Sequence, residues 1–342
     1  MAYTVIDKPS DYFNTVLYTG NGSTQSITGV NFQPDWVWLK QRSGTSNHRC
    51  YDIVRGATKQ IYPNLTNAEN TETNGLTSFN SDGFSLGNEG GHNQNSQTFA
   101  SWNWKAGTSF TNDASSTGVG SIDSAGSFNN DAGFSIVSYT GTGGNETIKH
   151  GMNITPSMII FKNRNTTNNW NVFHKTLGNG KFIRLNDSGA PGNTGRFNST
   201  SPTSSVFSVG VNGANAVNGD GNSIIAYCFA EVKGYSKFGS FVSNNNSDNA
   251  FIYTGFAPAF LIAKSTTSTN NWVMHDNKRN TFNPRSAKLY PDLNNAEDTE
   301  ADWDFLSNGM KLRAAAGANT FIYMIFAESP FVNSKGIPNN AR

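Results

Sequence analysis

Charge is scarce in this sequence: 25 lysines and arginines face 24 aspartates and glutamates across 342 residues, a formal net charge of +1. Without a basic stripe or tail there is no electrostatic footprint for nucleic acid or an anionic membrane, and neither is expected as a partner. Long apolar runs are missing too. Runs such as Met158-Ile-Ile-Phe161 fall far short of the roughly 20 residues of a membrane-spanning helix. The first nine residues lack a basic region followed by an apolar core, so no secretory signal is read and assembly in a cytoplasm is expected. Cysteine occurs only at 50 and 228; the two read as free buried thiols and not as a disulfide. Stretches with a 3.6-residue apolar period are almost absent, which excludes a helical fold.

The chemistry-bearing motifs are missing as well. The histidines at 48, 92, 150, 174 and 275 show no His-x3-His spacing, and no nucleophile elbow, phosphate loop or zinc pattern is present. Asn186-Asp187 and the Asp/Asn clusters at 218–222 and 244–249 are rich in oxygen but match no calcium loop. No catalytic residue, metal or cofactor is therefore expected. His174 and His275 follow Trp170 and Trp272 at similar distances, while Cys50-Tyr51-Asp52 aligns with Met274-His275-Asp276. A histidine that yields to tyrosine in another copy reads as a partly buried aromatic.

What the sequence does contain is repetition, the feature to seek before any other. Tyr62-Pro-Asn-Leu-Thr-Asn-Ala-Glu-Asn-Thr-Glu72 returns as Tyr290-Pro-Asp-Leu-Asn-Asn-Ala-Glu-Asp-Thr-Glu300, an offset of 290 − 62 = 228. The acidic pair Glu69/Glu72 and its copy Glu297/Glu300 could in principle serve glycoside hydrolysis. Duplication with its surroundings intact reads instead as a turn or short capped helix. A proline-led apolar strand ending in lysine occurs three times, at Pro34–Lys40, Pro156–Lys162 and Pro258–Lys264. Each copy closes on an alternating strand: Phe99–Trp104, Ile224–Phe229 and Phe321–Phe326.

Short strands broken by turns every 8 to 12 residues or so point to an all-β chain of three tandem antiparallel β-sandwich units, each of about 100 residues. The expected boundaries are an N-terminal arm at 1–12, repeat 1 at 13–107, a Ser/Gly/Asn linker at 108–132, repeat 2 at 133–233, repeat 3 at 234–331 and a C-terminal tail at 332–342. The linker reads as too polar to bury much, with one weak strand near Ile122, leaving repeat 1 free to move. Trp36/Trp38 and Trp102/Trp104 alternate, so each pair shares one strand face, the expected inside of a sandwich.

Phe32–Lys40, Tyr51–Gly56, Asp82–Gly87, Trp102–Gly107, Gly234–Gly239 and Tyr323–Phe331 together resemble the tandem-repeat virion proteins of tailed bacteriophages, particularly marine ones, whose repeat is a domain of unknown function. That resemblance implies a non-enzymatic structural protein on the particle surface: a capsid decoration, a head fibre, or a compact tail-fibre or tail-tip component. It also implies virion localisation, with other capsid or tail proteins as partners; docking through the terminal arms and a symmetric homo-oligomer, the usual assembly of such proteins, are expected with it. An alternative is a carbohydrate-binding, host-attachment protein that meets a surface glycan. Its candidate ligand-binding residues are Trp170 and Trp272 with Asn169 and Asn271, an aromatic platform beside amides.

Overall fold

The computed structural model describes residues 3–193, 195–211 and 214–339. Burial at successive positions, rather than at alternate ones, marks the proline-led strands. Trp36–Gln41 is buried at all six residues and Pro156–Asn163 at all eight. A strand buried on both faces lies between two layers, and the chain is all-β with several antiparallel sheets.

One strand order recurs three times. Phe13–Thr19, Thr98–Trp104, Trp36–Gln41 and Arg49–Asp52 lie side by side in that order. So do Phe134–Thr140, Ser223–Ala230, Pro156–Asn163 and Asn171–His174, and then Ser236–Val242, Thr320–Pro330, Phe256–Ser265 and Val273–Asp276. The register repeats as well. Trp104 lies between Phe13 and Trp36, Phe229 between Phe134 and Met158, and Phe326 between Ser236 and Phe260.

The tryptophan pairs do not face the inside of a single sandwich. Trp36, Trp38, Trp102 and Trp104 join Tyr227, Phe229, Phe260 and Phe326 in one apolar cluster drawn from all three sheets. At its centre Trp104, Phe229 and Phe326 form a triangle with ring centroids 6.3, 6.1 and 5.9 Å apart. The alternate residues Val37 and Leu39 turn the other way, onto Leu76, Phe84 and Leu86 of an outer layer. The other two sheets have equivalent outer clusters, around Phe207 and around Trp303. Each inner sheet thus has one private face and one shared face, which is why its strands need large side chains at successive positions.

Residues 108–132 are folded, a correction to their reading as a linker. Thr108–Asn112 pairs with Ser124–Asn129, which pairs with Phe134–Thr140; these two strands on one edge, with Lys181–Arg184 and Gly192–Asn193 on the other, widen the second sheet to eight strands. Between them Ala114–Thr117 makes one helical turn, capped by the Asp113 carboxylate at its start and Gly118 at its end. Polar composition hides this hairpin because Phe110 and Phe128, edge to face at 5.9 Å, carry its packing. Gly126 is required, since a Cβ there would lie 1.9 Å from the Ile136 carbonyl oxygen. Ile122 makes only an isolated bridge to Ile148.

The termini pack on the same chain. Ile6 is buried in the shared cluster, and the Tyr3 hydroxyl donates to the Gly255 carbonyl at 2.9 Å. Asp7 accepts from both the amide and the hydroxyl of Ser334, fastening the N-terminal arm to the tail.

Candidate functional site

The three segments meet at three junctions that use the same positions in rotation. Trp170 of the second segment donates its indole N–H to the Tyr62 carbonyl of the first at 2.8 Å. Trp272 of the third donates to the Arg184 carbonyl of the second at 2.7 Å. In the first segment the place is held by His48. Its Nδ1 accepts from the Trp38 indole, so its Nε2 carries the proton and donates to the Tyr290 carbonyl of the third at 3.0 Å. The backbone follows the same cycle, with Asn168, Asn270 and Ser46 donating to the carbonyls of Thr66, Ser188 and Asn294. Head-to-tail contacts that return to their start close a ring.

Trp170 and Trp272, expected as a sugar platform, are therefore buried pegs, with 0% and 1% of their surface exposed. An enclosed indole has no face to offer a ligand. Asn169 accepts from Asn186, and Asn271 borders an open groove beside Tyr290 and Asp298.

The duplicated glutamates build two of the junctions. Arg164 binds Glu69 through two nitrogens at 2.9 and 3.0 Å, and Arg55 adds a third bond at 3.1 Å. Arg42 binds Glu297 at 2.9 and 2.8 Å, and Arg279 completes the second triad at 3.1 Å. Beneath them, the buried carboxylates Asp52 and Asp276 each accept from their own arginine at 2.5 Å. The Tyr227 hydroxyl and the Trp102 indole then reach across from the adjacent segment, at 2.7 and 3.0 Å. Burial alone would raise Asp276, but the charge and hydrogen bonds of Arg279 outweigh it and hold the carboxyl below its usual range. Of the turn or short capped helix expected of the repeated block, the turn is present at Pro63–Asn64 and Pro291–Asp292, and neither glutamate lies in a helix. Each sits in a loop whose ends are tied to another segment.

Register corrects one alignment. Asp52, His174 and Asp276 face Trp36, Met158 and Phe260 respectively, so His174 stands where the others have aspartate, and His275 aligns with Tyr51 and Phe173. All five histidines are buried. Desolvation pulls His92, His150 and His174 down to about 4, and His48 and His275 well below their ordinary value.

Three lysines end the proline-led strands, and all are buried. Lys162 donates to the Thr66 carbonyl of the first segment at 2.8 Å, and Lys264 to the Ser188 carbonyl of the second at 3.1 Å. Lys40 stays within its own segment, bonded to the Gln41 carbonyl at 2.5 Å. Burial pulls Lys40 and Lys162 down to about 7 and Lys264 to about 8.

One constellation has the connectivity of an acid, imidazole and hydroxyl relay: Glu89 to His92 Nδ1, and His92 Nε2 to the Tyr51 hydroxyl at 2.6 Å. Tyr51 is 0% exposed and donates onward to Gln60 at 2.6 Å. Burial raises its phenol well above 10, so it is a sealed structural hydroxyl and no nucleophile. Among the described residues no group of three or more His, Cys, Asp or Glu side chains is placed to hold a metal. No helix there is long and apolar enough to cross a membrane.

Residues 8–330 match a family described as a domain of unknown function, DUF7483. The chain belongs to the DUF7483 family. The DUF7483 match runs through all three segments, so that domain is nearly the whole chain and not its hundred-residue repeat. A search of curated proteins finds no match.

Proposed function

We propose that the chain is a non-enzymatic structural protein of a tailed-bacteriophage particle, exposed on its surface as a capsid decoration, head fibre or compact tail component. In this reading it consists of three β-sandwich units, at 13–107, with the hairpin at 108–129 added to the unit at 133–233, and at 234–331. The observation that carries the reading is the use of the chain's polar chemistry. The Arg55–Glu69–Arg164 and Arg279–Glu297–Arg42 triads and the His48 imidazole hold one segment to the next, and among the described residues the Glu89–His92–Tyr51 relay ends on a buried hydroxyl. Fold alone assigns no activity, but a block whose ionic triads are spent on holding its segments together suits a building element. The resemblance of the repeated stretches to virion proteins supplies the particle. The glycan-attachment reading loses its expected platform with the burial of Trp170 and Trp272.

Purified particles of a phage encoding this chain test the proposal, by mass spectrometry and cryo-electron microscopy. The expected result is the chain present in stoichiometric copies, with density on the capsid or tail that fits the three-lobed block. Its absence from infectious particles, with the protein found only in the lysate, would overturn it.

A further inference from the structure

The junction between the second and third segments lacks what fills the other two. Where those place the trio Arg55, Glu69 and Arg164 or its equivalent Arg279, Glu297 and Arg42, the second and third segments place Leu177, Pro191 and Thr266. All three of these replacements line a cleft of roughly 270 Å³. The cleft is thus the space two arginines and a glutamate occupy elsewhere in the same molecule, left open by shorter side chains. From this we infer that the cleft is a binding site for a small, hydroxyl-rich carboxylate, the class to which acidic sugar residues belong.

The lining argues for that chemistry. Ile322 and Leu177 give an apolar floor, and Thr176, Ser240 and Thr320 set polar groups around it. The Thr266 hydroxyl already donates to the Thr320 carbonyl at 3.1 Å, which leaves its oxygen as an acceptor for a ligand's hydroxyls. Among the described residues Lys181 is the one charged side chain of the lining and is exposed, and no carboxylate lines the cleft. His174, just beneath, is neutral: Thr176 engages its Nδ1 at 2.8 Å and its Nε2 bonds the Tyr323 carbonyl. A lone cation beside hydroxyls and apolar carbon favours an anion that also carries hydroxyl groups. The other two junctions have no room for it, because their own guanidinium and carboxylate groups fill the space and pair with one another there.

The inference concerns this cleft alone and does not depend on which particle carries the protein. Saturation-transfer NMR and calorimetry with glucuronate and glucose test it on the full chain. The wild type is expected to bind glucuronate about threefold or more tightly than glucose, the worth of one exposed ionic contact. Lys181→Met, an exposed change, should erase that preference while leaving the fold intact. The double variant P191E/T266R, which rebuilds the arginine–glutamate pair in the cleft, should bind neither sugar. Unchanged binding by a folded P191E/T266R would overturn the inference, as would no binding of glucuronate by the wild type at tens of millimolar, or a preference that survives Lys181→Met. Should the double variant fail to fold, Thr266→Phe fills the same space, and retained binding by it would be equally fatal.

Discussion

Asp292 does with a carboxylate what Asn64 and Asn186 do with an amide. Each accepts from a backbone N–H of the peg position, His48, Trp170 or Trp272, at 3.0, 2.8 and 3.0 Å. The two amides go on to donate to Asn47 and Asn169, whereas the Asp292 Oδ2 is buried without a partner. Desolvation accordingly pushes the Asp292 carboxyl up to about 7, above the ordinary value near 3.8. A raised carboxyl binds its proton more tightly in the folded state, so its cost to stability is absent below about pH 4 and grows as pH rises to 7. Asp292→Asn should therefore stabilise the protein at pH 8 by on the order of 1–2 kcal/mol and change little at pH 4. Thermal unfolding of both proteins at the two pH values checks this. A destabilised variant at pH 8 would show that the carboxylate has an ionic partner.

At the scale of elements, the two glutamates of the repeated block have opposite weights despite their equal prominence in the sequence. Glu297 is 15% exposed and bonded to two arginines from different segments, whereas Glu300 is 60% exposed beside Lys288. Removing one member of a buried ionic group leaves the others desolvated and unpaired. Glu297→Ala should thus cost about 3 kcal/mol, and Glu300→Ala less than about 1 kcal/mol, measured by denaturant unfolding. Equal losses would mean the junction is no tighter than a surface pair. The sequence shows that this block is duplicated, along with the proline-led and closing strands and hence the β-class of the fold. It does not show where Glu69 and Glu297 point, because their partners Arg164 and Arg42 lie in other copies. A signal was available: Asp52-x-x-Arg55 returns as Asp276-x-x-Arg279 at an offset of 276 − 52 = 224, four short of the block's 228, which marks an ionic pair kept just ahead of the block. Trp170 and Trp272 were legible as aromatics but not as pegs, since their first-segment equivalent is His48 and the matching of positions only emerges from register. The hairpin at 108–129 was hidden for a different reason, its packing resting on two phenylalanines within a run of small polar residues.

At the scale of the molecule, the shared core binds the three segments into one body. Large buried side chains contribute most to a core of this kind, and six of the seven tryptophans are among the largest fully buried ones. Those at 36, 38, 102, 104, 170 and 272 all belong to the cluster common to the three sheets. A segment cut from the others would expose that face, so the chain should open as one unit and not segment by segment. Native-state hydrogen exchange read by mass spectrometry tests this most directly, on amides of the three closing strands Thr98–Trp104, Ser223–Ala230 and Thr320–Pro330. A single shared opening free energy for all three, lowered equally throughout by Phe326→Ala, is the result the shared core requires. Earlier exchange of Thr98–Trp104, with Phe326→Ala felt only in the third segment, would contradict it and restore a first unit that moves by itself.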